Sequence, residues 1–230
     1  MEHVLITGGN KGIGLETTKL FFKNGYKVTV IARDMSLIKN LENCFGIEFN
    51  LENIREIPEL ISKIGDIDIL VNNAGIMNTC KYNHYPNDKK NNIIKINLEA
   101  PIELMTCVSE GMQKKGKGRI VNNTSIAGHI GHPDIWYGIT KAGLINATKS
   151  FALLLGSKGI LVNAVAAGIV ETDMKNNILE ERQKKILESV ISKRFAKPIE
   201  IAETIFWLST VSPEYINGVC IDINNGAFLR

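Results

Sequence analysis

Short β-branched runs alternate with longer amphipathic stretches along the whole of this chain, and no other feature limits its fold as much. The runs His3 to Thr7, Lys27 to Ile31, Gly46 to Phe49, Ile67 to Val71, Arg119 to Thr124, Leu161 to Ala166 and Val219 to Ile223 read as strands. Helices are expected between them over Gly12 to Asn24, Ile54 to Ile64, Asn92 to Lys114, Trp136 to Leu155 and Ile199 to Leu208. Near-continuous apolar strands separated by helices form a parallel sheet covered on both faces. Right-handed crossovers then give a doubly wound α/β architecture. No repeat, low-complexity tract or linker interrupts the pattern, so residues 1–230 read as a single domain. Two polar stretches break the rhythm. Residues 79–92 read as a loop after the fourth strand, and 172–197, charged but of helical composition, as a substrate lid beyond the sixth. Insertions past the carboxyl ends of parallel strands are where such proteins build binding sites.

Composition excludes several classes of function. Apolar residues make up 44% and charged residues 22%, as in an ordinary soluble globular protein, and a net charge of +3 is too small to argue for nucleic acid. Cys44, Cys80, Cys107 and Cys220 are widely spaced, with no CxxC pair and no His/Cys cluster. No metal site or disulfide framework is expected, and the thiols fit a reducing compartment. The chain is already in a strand at His3, which leaves no room for a signal peptide. No apolar run approaches the ~18 residues of a membrane span. A cytoplasmic protein with no membrane partner is expected.

Thr7-Gly8-Gly9-Asn10-Lys11-Gly12-Ile13-Gly14 follows the first strand and opens the first helix. Such a turn lets the backbone approach a pyrophosphate at a helix N-terminus. It is one residue longer than GxGxxG and has no GK[ST], so it is not a Walker phosphate loop. Arg33 ends the second strand, where an NAD enzyme places a carboxylate for the ribose 2′-hydroxyl. Arg33 and Lys11 together suit a 2′-phosphate, so NADP is expected over NAD. Asp34 comes one residue late for the ribose. Asn72-Asn73-Ala74-Gly75 closes the fourth strand with small residues a ribose can approach and with amides able to tie strand ends together.

Tyr137 and Lys141 lie one helical turn apart, where an ammonium can depress a phenol's pKa and make it a usable acid and base. Ser125 precedes them by twelve residues. His129 and His132 flank the same pocket, as ordinary loop residues or as groups that tune substrate choice. Trp136 and Phe151 read as helix-interface residues, and the run Lys114 to Arg119 as a solvated turn.

Taken in order, TGGNKGIG (7–14), NNAG (72–75), KIN (95–97), Ser125 with YxxxK, VNAVAAG (162–168) and INGVCIDINNG (216–226) closely resemble the short-chain dehydrogenases/reductases over essentially the whole chain. The resemblance implies a Rossmann fold with strand order 3-2-1-4-5-6-7, NADP(H) as cofactor, and a catalytic tetrad of Asn97, Ser125, Tyr137 and Lys141. It implies cofactor contacts at Gly8, Asn10, Lys11, Gly12, Ile13, Gly14, Arg33, Asn50, Leu51, Asn73, Ala74, Gly75, Tyr137, Lys141, Gly168, Val170 and Thr172, and no metal. The NKGIG and ARD segments look like those of NADPH-dependent carbonyl reductases, and the C-terminal tail like that of 3-oxoacyl-acyl-carrier-protein reductases. Asn50, Ala167 and Asn225 depart from the family pattern, replacing its usual Asp, Pro and Gly. Members pair their two long helices across a two-fold axis, and Leu144, Ile145, Phe151 and Leu154 exceed what one sheet face covers; a homotetramer, or at least a dimer, is expected. A 3-oxoacyl thioester is one substrate reading. On it, the basic run 114–119, extended by Lys193 and Arg194, lies beside the active-site mouth and steers an acidic acyl carrier protein. A carbonyl, steroid or sugar dehydrogenase, and a catalytically silent nucleotide sensor, are the alternatives.

Overall fold

The structure, a computed structural model, describes residues 1–36, 38 and 44–230. Seven strands form one wholly parallel sheet in the order β3-β2-β1-β4-β5-β6-β7. They are β1 (His3–Thr7), β2 (Lys27–Ala32), β3 (Cys44–Glu48), β4 (Ile69–Asn72), β5 (Gly118–Asn123), β6 (Ile160–Ala167) and β7 (Cys220–Ile223). The order and the helices on both faces match the sequence expectation.

Successive strand residues point to opposite faces, so one apolar run serves two cores. Val4 and Ile6 join Val28, Val30 and Val71 under α1 (Gly12–Lys23) and α7 (Pro198–Ser209), which contribute Phe21, Ile201 and Ile205. Leu5 points the other way, with Leu70, Ile120 and Val162, under α2 (Ile57–Ile64), α4 (Ala100–Lys115) and α5 (Ile135–Leu155). Each such fully buried side chain is worth about 1.5–3 kcal/mol. Together they fix the carboxyl ends of β1, β4, β5 and β6 side by side.

Three expectations change. The stretch 79–92 is not all loop: α3 (Asn87–Ile94) starts five residues before the expected Asn92 and runs through a π-helical turn, Lys95–Glu99, into α4. Ile93 is its sole buried residue, so its first turns show no apolar periodicity in the sequence. Secondly, Leu144 and Ile145 are not surplus apolar surface. Both are buried within their own chain, whereas Leu153 and Leu154 are 85% and 67% exposed.

The third change concerns the basic run. Residues 114–119 enter β5 at its amino end, whereas Ser125 lies beyond its carboxyl end, so the run sits at the sheet edge remote from the site. Its charges are also engaged locally: Lys115 pairs with Asp68, Lys117 with Glu2, and Arg119 bonds the Leu208 and Ser212 carbonyls. Arg194 is held by Glu200 at 2.7 Å, and the Lys193 ammonium donates to the Glu188 carbonyl. The run 114–119 therefore does not lie at the mouth of the site.

Within 172–197, a 3-10 turn (Asp173–Asn177) precedes α6 (Glu180–Ser189), which buries no residue. Asn225, at φ 49°, adopts the left-handed backbone expected of the residue replacing glycine. Its carbonyl and side-chain oxygens accept from Ile191 and Ser192, tying this segment to the C-terminal tail. Among the described residues no helix is long and apolar enough to cross a membrane.

Candidate active site

Two buried asparagine ties join the strand ends. Asn73 donates to the Thr7 and Gly8 carbonyls and accepts from Asn123, while Asn72 donates to Asn122, which donates to Thr148 on α5. The amides therefore tie β1, β4 and β5 together as the sequence suggested. Gly8 and Gly12 hold φ values of 63° and 53° in the turn after β1, a region that favours glycine. A Cβ on Gly14 would overlap the Gly8 carbonyl oxygen. The result is a bare backbone surface at the N-terminus of α1, suited to an approaching pyrophosphate.

The proposed tetrad converges beside this surface. Ser125 caps the short turn Ile126–Gly128, its hydroxyl accepting from Ala127 N at 3.2 Å. Tyr137 lies in the first turn of α5, and Lys141 follows one turn on, with Nζ 5.8 Å from the Tyr137 ring centre and donating to the Asn123 carbonyl at 2.9 Å. Asn97 occupies the π-helical turn, a local widening that recurs at functional sites. Its amide clamps both backbone groups of Ile76 at 2.8 Å. A Cβ on Gly75 would stand 3.3 Å from Lys141 Nζ and 3.5 Å from Asn97 Oδ1, so β4, the π turn and α5 meet at that glycine.

The electrostatics differ from the simple Tyr–Lys expectation. Burial raises the Tyr137 phenol above its ordinary value; the Ser125 hydrogen bond opposes this and the Asp134 charge adds to it. Burial brings Lys141 down to about 8. Desolvation dominates both shifts because both groups leave water together. At neutral pH the arrangement holds a protonated phenol beside a cationic lysine, which is the proton-donating state.

Other cofactor positions line the same crevice. Asn10 donates to the Asp34 carbonyl at 2.8 Å, joining the glycine turn to the end of β2, where Arg33 is exposed. Lys11 does not stand free for a phosphate: Asp173 Oδ2 holds its ammonium at 3.2 Å. Asn50 Oδ1 accepts from Glu52 N, and Leu51 and Val170 are buried. Ala74 N donates to the Thr7 hydroxyl, Ile13 packs against the α1-side core, Gly168 N donates to the Ile223 carbonyl, and the Thr172 methyl faces Gly12. Lys11, Gly12, Thr172 and Asp173 together line a cleft of about 430 Å³.

Sequence reasoning passed over Asp134. Buried, it caps α5 through Tyr137 N and accepts from the Tyr85 hydroxyl and from Asn78 N. Burial and this carboxylate push Tyr85 up to about 12. An Asp just before an apolar helix start is an N-cap signature that the sequence did contain. The two histidines part company. His132 packs on Tyr137 with ring centres 5.1 Å apart and meets Arg182 of α6 at 3.3 Å, beside a cleft of about 170 Å³ lined by Met77, Cys80, Ile178 and Leu179. His129 turns instead toward β7.

Comparison with known proteins agrees with this architecture. The short chain dehydrogenase family matches residues 2–183, and the chain belongs to that family of oxidoreductases. It is 33% identical to 3-oxoacyl-acyl-carrier-protein reductase FabG of Buchnera aphidicola, over 99% of this chain and 98% of that protein. It is 35% identical to the FabG of Thermotoga maritima over 96% of each. Among solved structures, ElxO with NADP bound superposes with a TM-score of 0.90 at 31% identity, covering 98% of both chains.

Proposed function

We propose that this protein is an NADP(H)-dependent oxidoreductase that interconverts a carbonyl compound and a secondary alcohol. The observation that carries this reading is the convergence of Asn97 and Lys141 on Gly75, next to the bare glycine turn, with the Tyr137 ring 5.8 Å from the Lys141 ammonium. The glycine turn fits a dinucleotide, since Gly8 and Gly12 hold positive φ and a Cβ on Gly14 would overlap the Gly8 carbonyl, leaving the backbone bare. When bound, the nicotinamide supplies the hydride. Tyr137 gives its proton to the substrate oxygen as charge develops there, and Ser125 donates a hydrogen bond to the same oxygen. Lys141 supplies a buried positive charge one turn away. Asn97 positions the Ile76 backbone against this group. Arg33 and Lys11 favour the 2′-phosphate; Lys11 exchanges Asp173 for that phosphate. The ElxO structures with NADP and NADPH bound support the cofactor choice.

Residues 1–230 act as one domain, with 172–197 as the lid over the 170 Å³ cleft. Exposed Leu153 and Leu154 supply contacts for a homotetramer, checked by light scattering at micromolar concentration. The full-length FabG relatives favour a 3-oxoacyl thioester as substrate. The test is NADPH against NADH oxidation with acetoacetyl-CoA, acetoacetyl-carrier protein, diketones, quinones, steroids and sugars. Turnover of the thioesters is expected. Good turnover of another carbonyl alone rejects the thioester, and turnover of none rejects the oxidoreductase reading.

A further inference from the structure

His129, Cys220 and Asp222 take no part in the proposed hydride chemistry, yet the fold collects them at one point. They come from the turn after Ser125 and from β7, some ninety residues apart in sequence. Cys220 and Asp222 are two apart on a strand and so share a face, while Ile221 and Ile223 pack into the opposite core. His129 Nε2 lies 3.8 Å from Cys220 Sγ and 3.6 Å from Asp222 Oδ1, and the three ligand atoms lie within 4.8 Å of one another. Nitrogen, sulfur and oxygen bound tetrahedrally to zinc at their usual bond lengths stand roughly 3.3–3.7 Å apart. The two separations from His129 need only a small contraction to reach that geometry. No other group of three such side chains occurs among the described residues.

The surroundings hold each donor in place. The His129 ring stacks on Phe228 at 6.2 Å and 16°. Asp222 Oδ2 accepts from Arg230 Nε at 2.7 Å, and the same guanidinium reaches Asp222 Oδ1 at 3.3 Å and the Cys220 carbonyl at 2.9 Å. Arg230 thus orients the carboxylate through both oxygens, Oδ2 the more closely, while Oδ1 also faces His129, and ligating carboxylates are commonly held by such hydrogen bonds. As the sulfur–metal bond forms, the thiol proton leaves to solvent. A divalent ion with one thiolate and one carboxylate is then neutral overall, so the nearby cations Arg230 and Lys149 do not repel the completed unit.

We infer that His129, Cys220 and Asp222 form a zinc-binding site with an open fourth position, pinning the loop between Ser125 and α5 to the C-terminal strand. The mixed N, S, O donor set suits zinc, whereas magnesium and calcium prefer oxygen alone.

The experiment uses the full chain stripped with a chelator and titrated with Co²⁺ as a spectroscopic probe, then with Zn²⁺. One equivalent of Co²⁺ is expected to give a thiolate charge-transfer band and tetrahedral visible bands, both displaced by Zn²⁺, and Zn²⁺ is expected to raise Tm. Cys220→Ser should abolish the charge-transfer band, His129→Gln should weaken binding at least tenfold, and Arg230→Ala should weaken it ~10–100-fold. A chain with Cys44, Cys80 and Cys107 all replaced by Ser should keep the band. Absence of the band in the wild-type chain, its loss in that triple variant, or its persistence in Cys220→Ser overturns the site. NADPH oxidation, measured separately, leaves this result unaffected.

Discussion

The cofactor end and the segment 171–197 face each other across one crevice but are built differently. At the cofactor end, β1, β4 and β5 are joined by asparagine amides that are buried or nearly so, and the glycine turn admits no side chain. Across the cleft, α6 buries nothing and the segment is tethered by exposed ion pairs, Lys11 to Asp173 and Arg194 to Glu200, and by Asn225. Exposed pairs of this kind contribute little, since water screens them and holding two long side chains in one geometry costs entropy. A rigid cofactor floor beneath a weakly held cover lets one fold keep its chemistry while changing what it admits.

The sharpest attack on the rigid half is Gly14→Ala. With its Cβ overlapping the Gly8 carbonyl, it is expected to lose about 4 kcal/mol or more, or to fail to accumulate as soluble protein. Urea unfolding measures this, and near wild-type stability would mean that the floor yields.

Tyr137→Phe removes the acid and leaves the floor intact. A fall in kcat of about 10²–10⁴-fold is expected with NADPH binding nearly unchanged. Retention of a tenth of the wild-type rate contradicts the role given to Tyr137.

Lys141 tests the buried charge. Its fall from 10.5 to about 8 costs the folded state roughly 3 kcal/mol below pH 8, at about 1.36 kcal/mol per unit. Because the unfolded chain binds the proton more tightly, stability from this group returns as pH rises from 8 to 10.5. The stability gained in Lys141→Met over wild type is therefore expected to be largest near pH 7 and to shrink across that window. Thermal melts of both proteins at several pH values check it.

Arg33→Ala should raise the KM for NADPH by ~10–100-fold, the loss of a charge-assisted contact worth ~1.5–3 kcal/mol, and leave NADH use unchanged. Steady-state kinetics with both cofactors decide it, and equal wild-type preference refutes the clamp.

The smallest effect belongs to the cover. Glu200→Ala releases Arg194 and the start of α7, where Glu200 also accepts from Lys197 N. A slight drop in Tm and faster proteolysis within 172–197 are expected, with kcat unchanged. A large loss of stability instead would show the cover to be as firmly built as the floor.

Much of the site was legible because its requirements are local. Glycines at positive φ, a tyrosine and lysine one turn apart, and asparagines closing a strand are short-range patterns with short-range causes. The doubly wound sheet followed from buried apolar runs and crossover handedness, and its strand order from the family resemblance. What escaped reading was long-range or disguised. α3 carries too few apolar residues to show its period, and the basic run is noticed as charge before its end of the sheet is known.

The sequence by itself determined the doubly wound sheet and the glycine turn, since backbone sterics and apolar periodicity act between near neighbours, and its family resemblance named the side chains of the proposed chemistry. Only the tertiary structure decided that burial raises the Tyr137 phenol and lowers Lys141, that Lys11 meets Asp173, and that Leu144 and Ile145 are covered within their own chain. It alone brought His129 to Cys220 and Asp222. Desolvation and cross-chain proximity depend on where distant segments come to rest, and that is set by the packing of the whole sheet rather than by any stretch of residues.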